Sequence, residues 1–145
     1  MIDINVYGGT KRQREYAESM ARFVVKKLMP RKRNLDVCIN LDKVDDALGY
    51  CYEEFKGSYA IEIDKRQSMR RFLETVAHEM VHVKQYCRNE MSGRDTWHGK
   101  YINPRTTEYW DLPWEIEAHG RECGLFIRWA QESGVANKDW AQDPA

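Results

Sequence analysis

The chain opens on strict alternation. Over 2–7, Ile2, Ile4 and Val6 interleave with Asp3, Asn5 and Tyr7, the period of a strand with one covered face. Gly8-Gly9 breaks the pattern. Thr10 and Gln13 then stand at capping-box spacing, and Tyr16, Met20, Phe23, Val24 and Leu28 follow at helical spacing until Pro30 stops the run. Leu35, Val37, Ile39 and Leu41 alternate as a second strand. The aromatic-rich stretch 47–55 and the alternating 59–64, separated by Gly57-Ser58, predict a hairpin. A long helix is expected over about 68–89, loop over 91–106, and a last helix over 112–133 with Pro113 in its first turn. Gly120 and Gly124 weaken that helix and suggest close packing against a neighbour. The tail beyond Gly134 is expected to fray. The predicted class is α+β: a mixed sheet of about four strands, packed on an N-terminal helix and the long central helix, then a C-terminal helix.

Composition narrows the setting. The 145 residues fit one domain, 1–145, large enough to bury a core without disulfides. The net charge is zero, so no global field draws the chain to nucleic acid or anionic lipid. The one dense basic run, 26–33, suits a solvated helix end, where lysines favour the dipole. No apolar stretch reaches membrane-spanning length, and the start lacks the pattern of a secretory signal. The expected compartment is the cytoplasm, of a cell or of an infected host. Cys38, Cys51, Cys87 and Cys123 form no CxxC pair and are expected to be free thiols acting as small buried apolar groups.

The central helix carries the chemistry. On a helical wheel Phe72, Leu73, Val76, Ala77, Met80, Val81 and Val83 share a broad apolar arc. His78 and His82 leave it together on the other side, and Glu79 lies at the edge near Thr75 and Tyr86. The charges Arg70, Arg71, Lys84 and Arg88 fall towards the ends, which predicts a buried middle where a polar cluster needs a reason. One helical turn between two imidazoles lets both reach one ion, while the intervening glutamate points beside it at a water. Glu79 is then the expected general base, taking a proton from that water and passing it to the leaving amine.

A hydrolytic zinc site needs a third protein ligand and an open position. Glu90 lies two turns along the same helix, too far up the axis, and Glu108 falls in a loop. Glu115 and His119 are four apart on the last helix and share a face, while Glu117 turns away. Glu115 is the preferred ligand, with Glu117 and His98 as alternatives. His119, Tyr86 and Tyr109 are candidates for orienting a ligand or steadying an oxyanion, and Tyr101 and Arg121 are further candidates for the latter role. His/His/Glu sites accept zinc, manganese or cobalt; one zinc ion is the expectation.

"HEMVH" followed by "EIEAH", with Glu115 33 positions after His82, resembles the glutamate zincins (gluzincins). The ImmA/IrrE-type peptidases and the prenyl-protease/HtpX-like group follow the His-Glu-x-x-His helix with a Glu-x-x-Ala-Asp/Asn helix. The resemblance makes Glu115 the ligand and puts His119 where those families have Asp or Asn. The stretch from about Tyr59 to Trp129 also looks like small phage-encoded metallopeptidase-type proteins. It implies a minimal zincin that cuts a protein or peptide substrate, with the strand at 59–64 as the sheet edge that holds the peptide. A weaker likeness is to the SprT/Spartan-type proteases, which act on DNA-bound proteins. It rests on His98-Gly99, His98 lying 16 positions after His82, and would give the basic run a purpose. A third reading is non-enzymatic: a metal-stabilised phage or host accessory protein whose site is closed by a fourth ligand, His119 or His98.

Overall fold

The computed structural model describes residues 1–142. Strand β1 (Ile2–Gly8) leads into helix α1 (Lys11–Leu28), then β2 (Leu35–Asp42), β3 (Gly49–Phe55), β4 (Ser58–Asp64) and α2 (Met69–Cys87). A two-residue hairpin follows, β5 (Thr96–Trp97) and β6 (Lys100–Tyr101). A 3-10 turn (Tyr109–Asp111), α3 (Pro113–Glu132) and α4 (Asp139–Gln142) complete the order. The capping box forms as its sequence demands: the Gln13 amide donates to Thr10 Oγ1 (3.1 Å) and the Thr10 amide to Gln13 Oε1 (3.0 Å). The Gln13 side chain also donates to the Lys65 carbonyl (2.9 Å), tying the start of α1 to the end of β4.

The sheet is mixed, in the order β1-β2-β4-β3. β1, β2 and β4 are parallel; β3 runs antiparallel to β4 at the edge. This corrects one expectation: the strand at 59–64 is interior, and its hairpin partner, Gly49–Phe55, holds the free edge. Alternation alone cannot order the two, because pairing with β2 is a long-range contact. The inward side chains Val37, Ile39, Ile61 and Ile63 are fully covered, each worth about 1.5–3 kcal/mol of burial. Helices α1 and α2 cover that face, and among the described residues no helix covers the outward face of the sheet.

Helix α2 is the axle of the molecule. It touches α1, β3, β4, α3 and α4, and 15 of its 19 residues are buried. Arg70 and Lys84, expected near the exposed ends, are therefore buried and paired: Arg70 with Glu74 (3.3 Å), Lys84 with Glu117 (2.6 Å) and Glu90 (2.8 Å). Gly120 and Gly124 are exposed and a side chain at either would meet open space, so they serve no close packing. The segment after Gly134 does not fray over its described part. Val135 and Ala141 join the core, Trp140 packs on Tyr16 and Phe126, and Arg70 donates to the Ala141 carbonyl (2.6 Å). Residues 143–145 lie outside the described part. No helix among the described residues is long and apolar enough to cross a membrane.

Candidate metal centre

Helices α2 and α3 pack side by side, and each contributes one polar face to their seam. From α2 come His78, Glu79 and His82, all 5–7% exposed. From α3 come Glu115, His119 and Glu122, at spacings of four and three that keep them on one side. His78 Nε2 lies 2.9 Å from Glu115 Oε1, and His82 Nε2 lies 3.4 Å from Glu115 Oε2. Ligand atoms of these three residues lie within 4.8 Å of one another.

The other ring nitrogens are held from behind. His78 Nδ1 is 3.0 Å from Glu122 Oε1, and His82 Nδ1 is 2.8 Å from Gln85 Oε1. A carboxylate and an amide oxygen only accept, so both Nδ1 atoms carry the proton. Gln85, fully buried, is fixed in that sense because its amide nitrogen donates to the Trp114 carbonyl (2.9 Å) and to Glu117 Oε1 (3.0 Å). In the neutral imidazoles both Nε2 lone pairs then face the Glu115 carboxylate. Three electron-rich groups converge, with the Tyr109 hydroxyl donating to Glu115 from the side (3.1 Å), an arrangement able to hold a cation.

The proton affinities express the same demand. Burial pulls His78 down, but hydrogen bonds to Glu115 and Glu122 and the charge of Glu79 outweigh it and push its pKa up to about 10. His82 is raised likewise: burial opposes, Glu115 and Glu79 prevail. Burial would raise Glu115, yet the bonds from His78 and His82 hold it well below the ordinary carboxylate value. Protonated imidazoles here donate to Glu115 from the same nitrogens that could bind a cation. The donor set, two imidazole nitrogens and a carboxylate oxygen, fits zinc.

Glu79 differs from its neighbours. Its carboxylate lines a cavity of about 480 Å³ and has no hydrogen-bond partner among the described residues. Burial raises its pKa, partly offset by the two histidines. The cavity runs between β3, with its preceding loop, and the α2–α3 seam, and is walled by Tyr50, Tyr86, Met91, Tyr109 and Trp114. Gly49 makes the narrow approach possible. A β-carbon there would lie 3.2 Å from Glu79 Oε2, 3.0 Å from Thr75 Cγ2 and 2.9 Å from the Glu62 carbonyl oxygen.

The remaining candidates separate cleanly. The Tyr109 hydroxyl is 3.1 Å from Glu115 Oε1 and 2.8 Å from His119 Nε2, and His119 Nδ1 is 2.7 Å from Glu122 Oε1. His78, His119 and Glu122 also gather within 4.8 Å, but at hydrogen-bond distances that suit Glu122 accepting from both rings. Tyr86 stacks on Tyr59 and lines the cavity. Glu117 is taken by Lys84, Gln85 and Arg121 (2.9 Å), so neither Glu117 nor Arg121 points at the site. His98 sits at the tip of the β5–β6 hairpin, exposed, where His98 and Gly99 both take positive φ. It joins neither the cluster nor the cavity, and Tyr101 beside it is 60% exposed. The four cysteines are free thiols, but none is fully buried as expected: Cys38, Cys51 and Cys87 are half-buried and Cys123 is exposed. Burial, then the charge of Glu79, keeps the Cys51 thiol well above its ordinary pKa, which leaves it a poor nucleophile.

Two residues with roles in this seam, Glu122 and Gln85, were not anticipated from the sequence. Both were within reach of helical arithmetic: Glu122 is seven after Glu115 and Gln85 three after His82. Comparison of the chain with protein-family models, curated proteins and solved structures finds no match.

Proposed function

We propose that the protein is a zinc-dependent metallopeptidase of minimal zincin type. The observation that carries the reading is the meeting of His78, His82 and Glu115 beside a buried, unpartnered Glu79 at the floor of an open cleft. His78 Nε2, His82 Nε2 and Glu115 hold the ion; Glu122 and Gln85 fix the two rings. When bound, zinc supplies Lewis acidity, polarising a scissile carbonyl and making a water more acidic. Glu79 takes the water's proton and returns it to the leaving nitrogen, a task its raised pKa suits. Tyr109, beside Glu115 and His119, is the donor placed to meet an oxyanion.

The peptide lies along β3. The Asp64 amide donates to the Leu48 carbonyl (2.9 Å), and in an antiparallel ladder this phase turns the backbone groups of Gly49 and Cys51 outward. Those groups are free to pair with an extended chain next to Glu79. A reducing compartment such as the cytoplasm suits four free thiols.

Metal analysis of purified variants tests the reading. Glu79→Gln retains one equivalent of zinc and loses peptide hydrolysis by at least about a hundredfold. His78→Ala and Glu115→Ala lose the ion, whereas His98→Ala and Glu117→Ala keep it. Full activity in Glu79→Gln refutes the mechanism. Loss of zinc only in His98→Ala restores the DNA-linked alternative. A tightly held ion with no hydrolysis of unfolded protein points to a closed structural site.

A further inference from the structure

Four carboxylates line the cleft, and the basic side chains among its described lining residues are the histidines His78, His82 and His119. Asp46, Glu79, Glu115 and Glu122 line it, and no lysine or arginine does. Glu115 and Glu122 are engaged by histidines, and the exposed Asp46 at the rim accepts from the Tyr50 phenol, which leaves Glu79 at the floor. Glu79 is an independent pointer to a ligand: it is 5% exposed, has no hydrogen-bond partner among the described residues, and is aimed into the cavity. Its carboxylate reaches the space of the cleft, so a ligand that enters meets an unpaired acid at the floor.

The acidity continues out of the cleft along the sheet. Tyr50 and Tyr52 of the edge strand share the outward face and pair across to Glu62 and Ala60 of β4. The two phenol rings stack at 6.0 Å, and Tyr52 donates to Glu62 Oε2 (3.3 Å). Further in, the same face presents Asp36 and Asp42 of β2. No strand of the four-stranded sheet contains a lysine or an arginine. Two of the nearby bases are engaged by other groups. Lys56 donates to the Tyr86 carbonyl and to Asn89 (2.7 Å each), and Arg66 is spent on Asp64 (2.9 Å) and Asp45 (3.0 Å). Because the whole chain is neutral, this is segregation of charge towards one face and not a global excess.

We propose that the cleft takes an extended cationic segment, with lysine or arginine at alternate positions on the stretch that lies beside β3 and runs away from Glu79. Alternate side chains of an added strand fall on the outward face, over Tyr50, Tyr52 and Glu62. There the phenol rings cover the aliphatic stems or stack on guanidinium planes, and the carboxylates meet the charges. The cationic residues therefore fall on one side of the cut bond. This inference rests on the peptidase reading for the cut, but not for the docking.

The test uses zinc-loaded Glu79→Gln protein and dye-labelled, unstructured peptides of equal length. One carries arginine at alternate positions on one side of a common centre; the others carry serine or glutamate there. Fluorescence anisotropy is expected to show the arginine peptide binding about tenfold tighter than the serine peptide, with the glutamate peptide weaker still. The preference shrinks as salt is raised. Paired reversal, Asp46→Lys with Glu62→Lys, abolishes it, and the milder Glu62→Gln reduces it. Equal binding of arginine and serine peptides overturns the inference, as does a preference that survives the paired reversal. The salt dependence of the unreversed protein is read without either variant. Cutting by the unsubstituted protein is a separate readout. Equal cutting of all three peptides overturns the cationic preference and leaves the peptidase reading standing. Charge-selective binding with none of the peptides cut supports the docking and removes the peptidase reading.

Discussion

At the scale of the residue, the site is a set of orientations more than a set of ligands. His78 and His82 are useful to a cation only while both Nε2 lone pairs face Glu115, and that is decided behind them by Glu122 and Gln85. Glu122→Ala removes the acceptor for His78 Nδ1 and for His119 Nδ1 together, so both rings gain rotational freedom. Zinc affinity, read by competition with a chromogenic chelator, is expected to fall about tenfold to a hundredfold. Glu122→Gln, which keeps an acceptor oxygen, recovers most of it. Unchanged affinity in Glu122→Ala means that the ring is held by packing alone. Much of this was legible in the sequence: "HEMVH" on a helix names His78, Glu79 and His82, and the shared face of Glu115 and His119 brings in the second helix. What stayed hidden is the contact between side chains of different helices. Only the packing of α2 on α3 shows that Glu122 meets His78 and that Lys84 and Gln85 claim Glu117.

At the scale of the element, alternation and helical spacing are enough to place β1, α1, β2, β4, α2 and α3, because each buries one face and that face has a period. They say nothing of neighbours across the sheet. The edge position of β3 still has a local trace: adjacent Glu53 and Glu54, and Tyr52 and Phe55 that remain 48% and 67% exposed, against the wholly covered Tyr59, Ile61 and Ile63 of β4. The β5–β6 hairpin escapes periodicity because its strands are two residues long. The strand edge and the helix that carries His78 and Glu79 meet at Gly49, and the prediction at this scale belongs there. Gly49→Val forces a side chain against Thr75, Glu79 and the Glu62 carbonyl, of which the last is backbone and cannot yield cheaply. Overpacking of this kind costs about 1–3 kcal/mol. Peptide hydrolysis is expected to fall far more than zinc affinity, since β3 and Glu79 are displaced while the ligands on α2 and α3 stay in place. Equal loss of both would mean that β3 also sets the α2–α3 seam.

At the scale of the whole molecule, the candidate site and the C-terminal latch occupy different levels of one helix pair. His78 meets Glu115 at one level of the α2–α3 seam, and Arg70 meets Cys123 (3.7 Å) at another, nearer the C-terminal latch. The latch joins three helices: Trp140 packs on Tyr16 of α1 (5.6 Å between centroids) and on Phe126 of α3 (6.4 Å), and the next residue, Ala141, accepts from Arg70 of α2. Arg12 also lies over the Trp140 ring at 5.5 Å. Trp140→Ala therefore removes a shared wall from α1 and α3. The residue is half-buried, so the expected cost is about 2–3 kcal/mol, below the range for a fully buried tryptophan. For a domain of this size that lowers the unfolding midpoint by about 10 °C. Trp140→Phe keeps the wall and removes an indole N–H that has no partner among the described residues, so its cost is small or reversed. In both variants zinc affinity should hold at its unsubstituted value, because no ligand or ring-orienting group touches the latch. A calorimetric scan with and without zinc reads both quantities in one experiment. If Trp140→Ala weakened zinc binding in step with its loss of stability, the two ends of the seam would be a single cooperative unit, and the separation of latch from site would fail.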